Sequence, residues 1–346
     1  MTIPANAPAA PITLSSRVLE ACAAAFSGIW IQSYEHEDAL RAICTSIRDH
    51  GWDILTWDPE SGTRDINNAK LGGDELSPIV ALDELRKFKE TKKNLPDHRA
   101  VLILRNIHPD LATPDNHPRN PILLQALQHT IEVGAVAPVG LHVIVLSYPG
   151  LPILPELTKM FYTIEHDLPD AEELWSIMGE IEDTNLMPDR NSPEAKLLLD
   201  AAAGLTRIEA SGAFALSLTR HKKITASTLW ELKEQMLKKT GLLEMLRNTA
   251  GFDMIGGLNV LKEFCLQAFH SPHRSKKVRP KGVILVGAPG TGKSAFAAAL
   301  GVEVGLPTVS LNVGSLMGGI VGQTEEQTRR ALKTIDAMAP CILFAD

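Results

Sequence analysis

Eight consecutive residues, Gly287-Ala288-Pro289-Gly290-Thr291-Gly292-Lys293-Ser294, fit the pattern G-x-x-x-x-G-K-[ST] at every fixed position. Each residue type in that pattern has a chemical task. The glycines let a loop fold with its amide N–H groups turned inward as an anion cradle. A helix starting at the lysine adds free N–H groups and the positive end of its dipole. Lys293 then reaches toward β- and γ-phosphates, and the Ser294 hydroxyl toward Mg²⁺. The flanks agree with this reading. Residues 282–286 (GVILV) read as a buried parallel strand, and the Ala-rich run after Ser294 as a helix. Strand, glycine loop and helix together predict a site for ATP or a related nucleotide.

The rest of the chain must position that loop. Its 346 residues allow two or three domains, and 45% hydrophobic with 22% charged residues is an ordinary soluble composition. A net charge of −7 argues against a general nucleic-acid binder. Four cysteines, Cys22, Cys44, Cys265 and Cys341, lie far apart and read as buried thiols of a reducing, cytoplasmic compartment. No apolar run reaches the roughly 18–20 residues that span a bilayer, so no membrane partner is expected. Residues 1–14, rich in Ala and Pro, read as a flexible leader.

Along the chain, Ser15-Ser16 offer a cap for a helix to about residue 26. Strands are predicted at 28–33, 53–58, 99–107, 141–147 and 161–165, with helices across 38–51, 77–92 and 122–133. This alternation implies a doubly wound parallel sheet. From residue 169 the strands stop, and four helices are predicted over 170–181, 193–203, 206–219 and 225–239, closing a module at about 246. Residues 247–281 read as a linker with an amphipathic helix, ending in a basic run (273–281) better explained as a solvated connector than as a nucleic-acid contact. After the phosphate loop, 308–313 reads as a strand and 314–322 as a mobile glycine-rich loop. Thr324 and Gln327 fit a capping box for a helix with Ala331, Leu332, Ile335 and Met338 on one face. Residues 341–346 read as a hydrophobic strand ending in Asp346.

Residues 252–346 resemble the AAA family of ATPases. The segments FDMIGGLNVLK, GVILVGAPGTGKS, VGQTEEQTRRAL and APCILFAD occur in the family's order with family-like spacing. The N-terminal half, together with GLLEML ahead of Phe252, looks closest to the Ycf-type AAA ATPases of plastids, cyanobacteria and other bacteria. The resemblance implies a P-loop NTPase fold, ATP and Mg²⁺ as ligands, and hydrolysis that remodels a protein partner within a homo-oligomeric ring, a hexamer by analogy. By the same resemblance, Asp253, Ile255 and Gly256 lie against the adenine, and residues 287–295, including Ala295, hold the nucleotide. Lys293 serves the phosphoryl transfer, and Ser294 with Asp346 holds the metal. The family's next residue, a glutamate that polarises water, would follow Asp346. Its pore-loop aromatic is replaced by Ile320, which argues against aromatic threading of a polypeptide.

The family's sheet places the fourth strand between the first and third. Without it, residues 282–286 lack a neighbour linking them to 341–346, and open apolar edges invite aggregation. The sequence is therefore expected to be part of a longer protein. A natural stop at Asp346 would instead leave a non-hydrolysing nucleotide-binding scaffold. A partner-binding protein with a vestigial loop is disfavoured by the intact Gly292-Lys293-Ser294.

The first module (15–246) looks like a degenerate relative of the same fold with a helical lid (169–246), an unrelated α/β domain being the alternative. Tyr34-Glu35-His36-Glu37-Asp38 stands where a phosphate loop would be, and three carboxylates there repel phosphate. Arg105 and Asn106 stand where an active module carries Asp and Glu. The loop with His108, Asp110, Asp115 and His117 matches no zinc spacing and reads as a polar loop. Trp30, Trp52, Trp57, Trp175 and Trp230 read as packing residues.

Overall fold

A computed structural model describes residues 13–73, 75–91, 98–112, 117–137, 140–149, 151–181, 187–239, 242–246, 250–270 and 282–314, and all of 328–345 except 330, 333, 337 and 340. The basic run, Ile320, the capping-box pair Thr324 and Gln327, Asp115 and Asp346 lie outside the described residues. The chain divides into two compact units, Met1–Asp167 and Leu168–Asp346.

In the first unit, helix α1 (Leu14–Ala23) leads into strand β1 (Gly28–Gln32) and helix α2 (His36–Asp49). The α1 cap is Thr13, not the serines after it: the Thr13 side chain accepts from the Ser16 backbone N–H. There follow β2 (Asp53–Asp58), β3 (Gly62–Asp65), β4 (Lys70–Leu71), α3 (Pro78–Thr91), β5 (Arg99–Arg105), α4 (His108–Leu111), α5 (Pro121–Val136), β6 (Gly140–Ser147) and β7 (Tyr162–Glu165). The sheet order is β4-β3-β2-β5-β6-β1-β7. From β2 to β7 every pairing is parallel, while β3 and β4 add an antiparallel ribbon at one edge. Strand β6, the fourth of the parallel set, sits between the first (β1) and the third (β5).

Alternation along the strands builds a core on each face. Leu102 and Leu104 of β5 join Trp30, Trp57, Leu82 and Leu127 on the α3–α5 side. Val101 and Ile103 join Ile29, Ile31, Ile43 and Val18 on the α1–α2 side. Near-continuous apolar strands are what a sheet covered on both faces requires. The indoles of Trp30 and Trp57 are fully buried and donate to Ser147 Oγ (2.7 Å) and the Leu76 carbonyl (2.9 Å).

His142 is buried in β6, its Nδ1 hydrogen-bonding the Phe26 carbonyl at 2.8 Å, while its Nε2 has no partner. Burial pushes this imidazole down to about 4, with the nearby Arg99 adding to the effect and the Phe26 bond opposing it. The folded-state value lies below that of the unfolded chain, so protons favour unfolding. The stabilisation is complete above pH 6.5 and is lost as pH falls toward 4, by about 3 kcal/mol at 1.36 kcal/mol per unit. His142→Asn keeps a donor for Phe26 and removes the titration. Urea midpoints at pH 7 and pH 4.5 are expected to diverge less for this variant than for the wild type. Equal divergence would show that other groups carry the acid lability.

The second unit begins with helices α6 (Ala171–Ile181), α7 (Pro193–Ala202), α8 (Arg207–His221) and α9 (Ala226–Lys239). They enclose a core of Leu174, Met178, Leu198, Phe214 and Leu229. Thr206 and Glu209 form a reciprocal capping box at α8. Next come β8 (Leu243–Met245), a 3₁₀ turn (Phe252–Met254), α10 (Asn259–His270), α11 (Lys293–Val304), β9 (Thr308–Leu311) and β10 (Ile342–Ala345). The sheet order here is β10-β9-β8, with β9–β10 parallel and β8–β9 antiparallel. Ala331, Ile335 and Met338 pack on this sheet, whereas Leu332 is 46% exposed and leaves the face expected for it.

Residues 282–286 form no strand, correcting the expectation of a buried one. Ile284 and Val286 are 90% and 94% exposed. Val283 and Leu285 face Ile342 and Phe344 across an apolar cleft of about 370 Å³. A strand exists only by its ladder, and no described strand pairs with these residues. Among the described residues, no helix is long and apolar enough to cross a membrane.

Candidate functional site

The phosphate loop leads directly into α11. Gly290 and Gly292 adopt φ of +81° and +85°, which a side chain would resist. Gly292 is the N-cap of α11, and no side chain caps the helix there. In contrast, Thr13, Asn120, Ser192 and Thr206 cap their helices with side-chain oxygens. The first-turn N–H groups of α11 thus lack the internal acceptor those helices have, which suits an external anion. Thr291 Oγ1 donates to the Ala288 carbonyl at 2.8 Å and braces the loop. A Cβ on Gly287 would lie 2.8 Å from that same hydroxyl oxygen, so glycine is needed for the brace to close.

Lys293 folds back on the loop, its Nζ donating to the carbonyls of Gly287 and Ala288 at 3.0 Å each. These are neutral acceptors, and a phosphate oxygen would compete with them as a charged one. Ala288, Pro289, Ser294 and Ala295 are exposed beside it. Behind the loop, α11 is anchored by close approach: a Cβ on Gly301 would meet Thr308 Oγ1 of β9 at 2.2 Å.

The turn carrying Asp253, Ile255 and Gly256 is tied to the same helix. The Phe252 ring stacks on Phe296 of α11, with centroids 5.3 Å apart. Asp253 and Gly256 are exposed and Ile255 is half-buried. The structure thus brings this turn to the helix that carries Lys293 and Ser294. The partner expected for Ser294 in metal binding, Asp346, follows the last described residue of β10.

In the first unit, the turn between β1 and α2 is closed by its own side chains. Glu35 and His36 are buried, Arg105 pairs with Glu37, and the His36 ring stacks on Tyr148 at 4.4 Å. Burial lowers the pKa of the His36 imidazole below its ordinary value, with the Arg105 charge adding to the effect and the neighbouring Ser147 backbone, Asn106 and Glu37 opposing it. Ser33 Oγ contacts His166 Nδ1 at 2.8 Å, with Asp38 3.8 Å from the other ring nitrogen, but Ser33 is fully buried and beyond the reach of a substrate. Asn106 adopts φ +54° at the end of β5. Among the described residues, no group of three or more His, Cys, Asp and Glu could hold a metal ion.

Cys22 and Cys265 are buried as expected, and burial pushes the Cys22 thiol up to about 12. Cys44 and Cys341 are half-buried instead. The sequence reading missed Lys233 of α9, whose side chain is 2% exposed. Its Nζ lies 3.3 Å from the Asp200 carbonyl and 4.3 Å from the Trp230 ring centroid.

Three family models match the chain in order. Residues 15–166 match the SpoVK-like AAA ATPase N-terminal domain, and 179–240 the second domain of the same proteins. Residues 283–346 match the ATPase family associated with various cellular activities (AAA). By these matches the chain resembles AAA ATPases, in the order N-terminal domain, second domain and AAA domain. The AAA match and the mostly parallel seven-stranded sheet fit an α/β P-loop NTPase fold with an N-terminal module ahead of it.

Relatives named uncharacterized AAA domain-containing protein ycf46 occur in Guillardia theta and Trieres chinensis. The former is 27% identical over 92% of this chain and 61% of its own length. The latter is 30% identical over 55% of this chain and 40% of its own. The nuclear valosin-containing protein-like protein of Mus musculus is 31% identical over 32% of this chain and 14% of its own. The chain therefore spans about three fifths of the length of the Guillardia relative. The AAA match covers the phosphate loop and α11.

Proposed function

We propose that residues 287–295 bind Mg·ATP and that hydrolysis, in the whole protein, remodels a protein partner within a homo-oligomeric ring. The observation that carries the binding reading is the start of α11. A glycine cap leaves its first turn without a side-chain acceptor, and an ammonium waits on two neutral carbonyls at 3.0 Å. In this reading Lys293 would hold the β- and γ-phosphates, and Ser294 with Asp346 would hold Mg²⁺. Asp253, Ile255 and Gly256 lie against the adenine. The metal supplies charge neutralisation at the transferring phosphoryl group, and the loop supplies its orientation.

The first unit serves assembly or partner recognition rather than nucleotide chemistry. The Arg105–Glu37 pair and the buried Glu35 and His36 fill the ground where phosphates would lie, and Glu35, Glu37 and Asp38 make it anionic.

Calorimetric titration of the 346-residue chain with ATP, with and without Mg²⁺, tests the reading. One site per chain with micromolar Kd, tighter with Mg²⁺, is expected. Absence of heat and of competition with a fluorescent ATP analogue would end the assignment.

A further inference from the structure

We propose that Glu303 and Lys262 are positioning residues that lock the 253–256 turn to α11 and α10, respectively, and thereby set how much the nucleoside adds to ATP affinity. The inference rests on the nucleotide reading above. The Phe252 N–H donates to Glu303 Oε1 at 2.7 Å. Lys262 of α10 donates from Nζ to the carbonyls of Phe252 (3.0 Å) and Ile255 (2.5 Å), and the same ammonium lies 5.5 Å from the Phe252 ring centroid. One charged side chain thus holds the N–H at the start of the turn, and another holds carbonyls at both of its ends. Bonds of this kind, with one partner ionised, are stronger than neutral ones.

Two features argue that the arrangement is specific. Glu303 stands in the last turn of α11 (Lys293–Val304), where the helix dipole disfavours an acid. Its position is accounted for by the Phe252 N–H it receives. Gly251, in turn, leaves room for it: a Cβ there would lie 2.2 Å from Glu303 Oε1. Lys293 and Glu303 stand at opposite ends of one helix, about 15 Å apart at 1.5 Å per residue. The same rigid rod therefore carries the phosphate-facing amine and the anchor of the turn expected at the adenine. A phosphate group is held by one end alone, whereas the base depends on the other end as well.

The test is titration of wild type, Glu303→Ala, Glu303→Gln and Lys262→Met with Mg·ATP and with Mg·tripolyphosphate, which lacks the nucleoside. Glu303→Ala and Lys262→Met are each expected to weaken ATP about tenfold and leave tripolyphosphate within twofold. Glu303→Gln retains an acceptor oxygen and is expected to bind ATP within threefold of wild type. Equal loss for both ligands would mark a general fold defect and overturn the proposal, as would unchanged ATP affinity or a glutamine variant as weak as the alanine one. A wild-type chain that binds neither ligand overturns the site itself, and the positioning role with it.

Discussion

Replacing Lys293 with alanine is expected to raise the Kd for Mg·ATP at least a hundredfold while leaving the thermal midpoint of the chain within a degree or two. The side chain makes two bonds to loop carbonyls at 3.0 Å and takes no part in the buried cores around α11, so its loss removes little packing. In the bound state it would face charged phosphate oxygens. Charge-assisted bonds are worth about 1.5–3 kcal/mol each, and two of them amount to about 3 kcal/mol or more. At 1.4 kcal/mol per tenfold, that exceeds two orders of magnitude. Calorimetry beside a melting curve reads both quantities, and an affinity within threefold of wild type would remove Lys293 from the site. Lys293→Arg tests geometry: the charge is retained, but a planar fork replaces a compact ammonium.

Replacing Lys233 with methionine should stabilise the second unit by about 2–4 kcal/mol near neutral pH, within the range found when buried ionic groups give way to apolar ones. Burial pushes the Lys233 amine down from 10.5 to about 7, and interactions with Cys341 and Asp200 offset only part of that. The folded-state value lies below the unfolded one, so the wild type is unpenalised above pH 10.5. It loses stability as pH falls toward 7, after which the penalty is constant. The advantage of Lys233→Met is therefore largest at pH 7 and below and shrinks toward pH 10. Urea midpoints at pH 6.5 and 9.5 measure it. A destabilised variant at pH 6.5 would mean that the bond to the Asp200 carbonyl and the Trp230 contact outweigh desolvation.

The elements visible in the sequence were those whose residues make their own case. Strands β1, β2, β5, β6 and β7 fall within two residues of their expected spans; for β1, β5 and β6 the reason is plain, since apolar runs buried on both faces carry a strong signal. The β3–β4 ribbon left no such trace: Gly62-Thr63-Arg64-Asp65 is polar and lies at a sheet edge. Strand β8 is three residues long, with Glu244 exposed between buried Leu243 and Met245, too short for periodicity to reveal. Residues 282–286 failed the other way. Their composition favours a strand, but pairing belongs to two segments, and composition reports on one.

At the site, the loop was legible because its glycines, lysine and serine each have a chemical reason at a fixed spacing. Glu303 and Lys262 were not, since a charged residue on a helix surface looks the same in sequence whether it meets water or a backbone amide. Lys233 was hidden for a related reason: in a stretch as charged as α9, nothing distinguishes the one lysine that turns inward.

Strand β8 bears on how such a chain can be cut and recombined. It follows the four-helix layer in sequence, yet its hydrogen bonds belong to β9. A gene fusion joined after Leu246 would deprive β9 of its antiparallel partner and uncover Val309 and Leu311, which Leu243 and Met245 help to bury. A fusion joined at Asp167–Leu168 breaks no sheet and no core described in the second unit. The helical layer and the phosphate-loop sheet should therefore travel together as one cassette when domains are exchanged between relatives, with the first sheet as the interchangeable part.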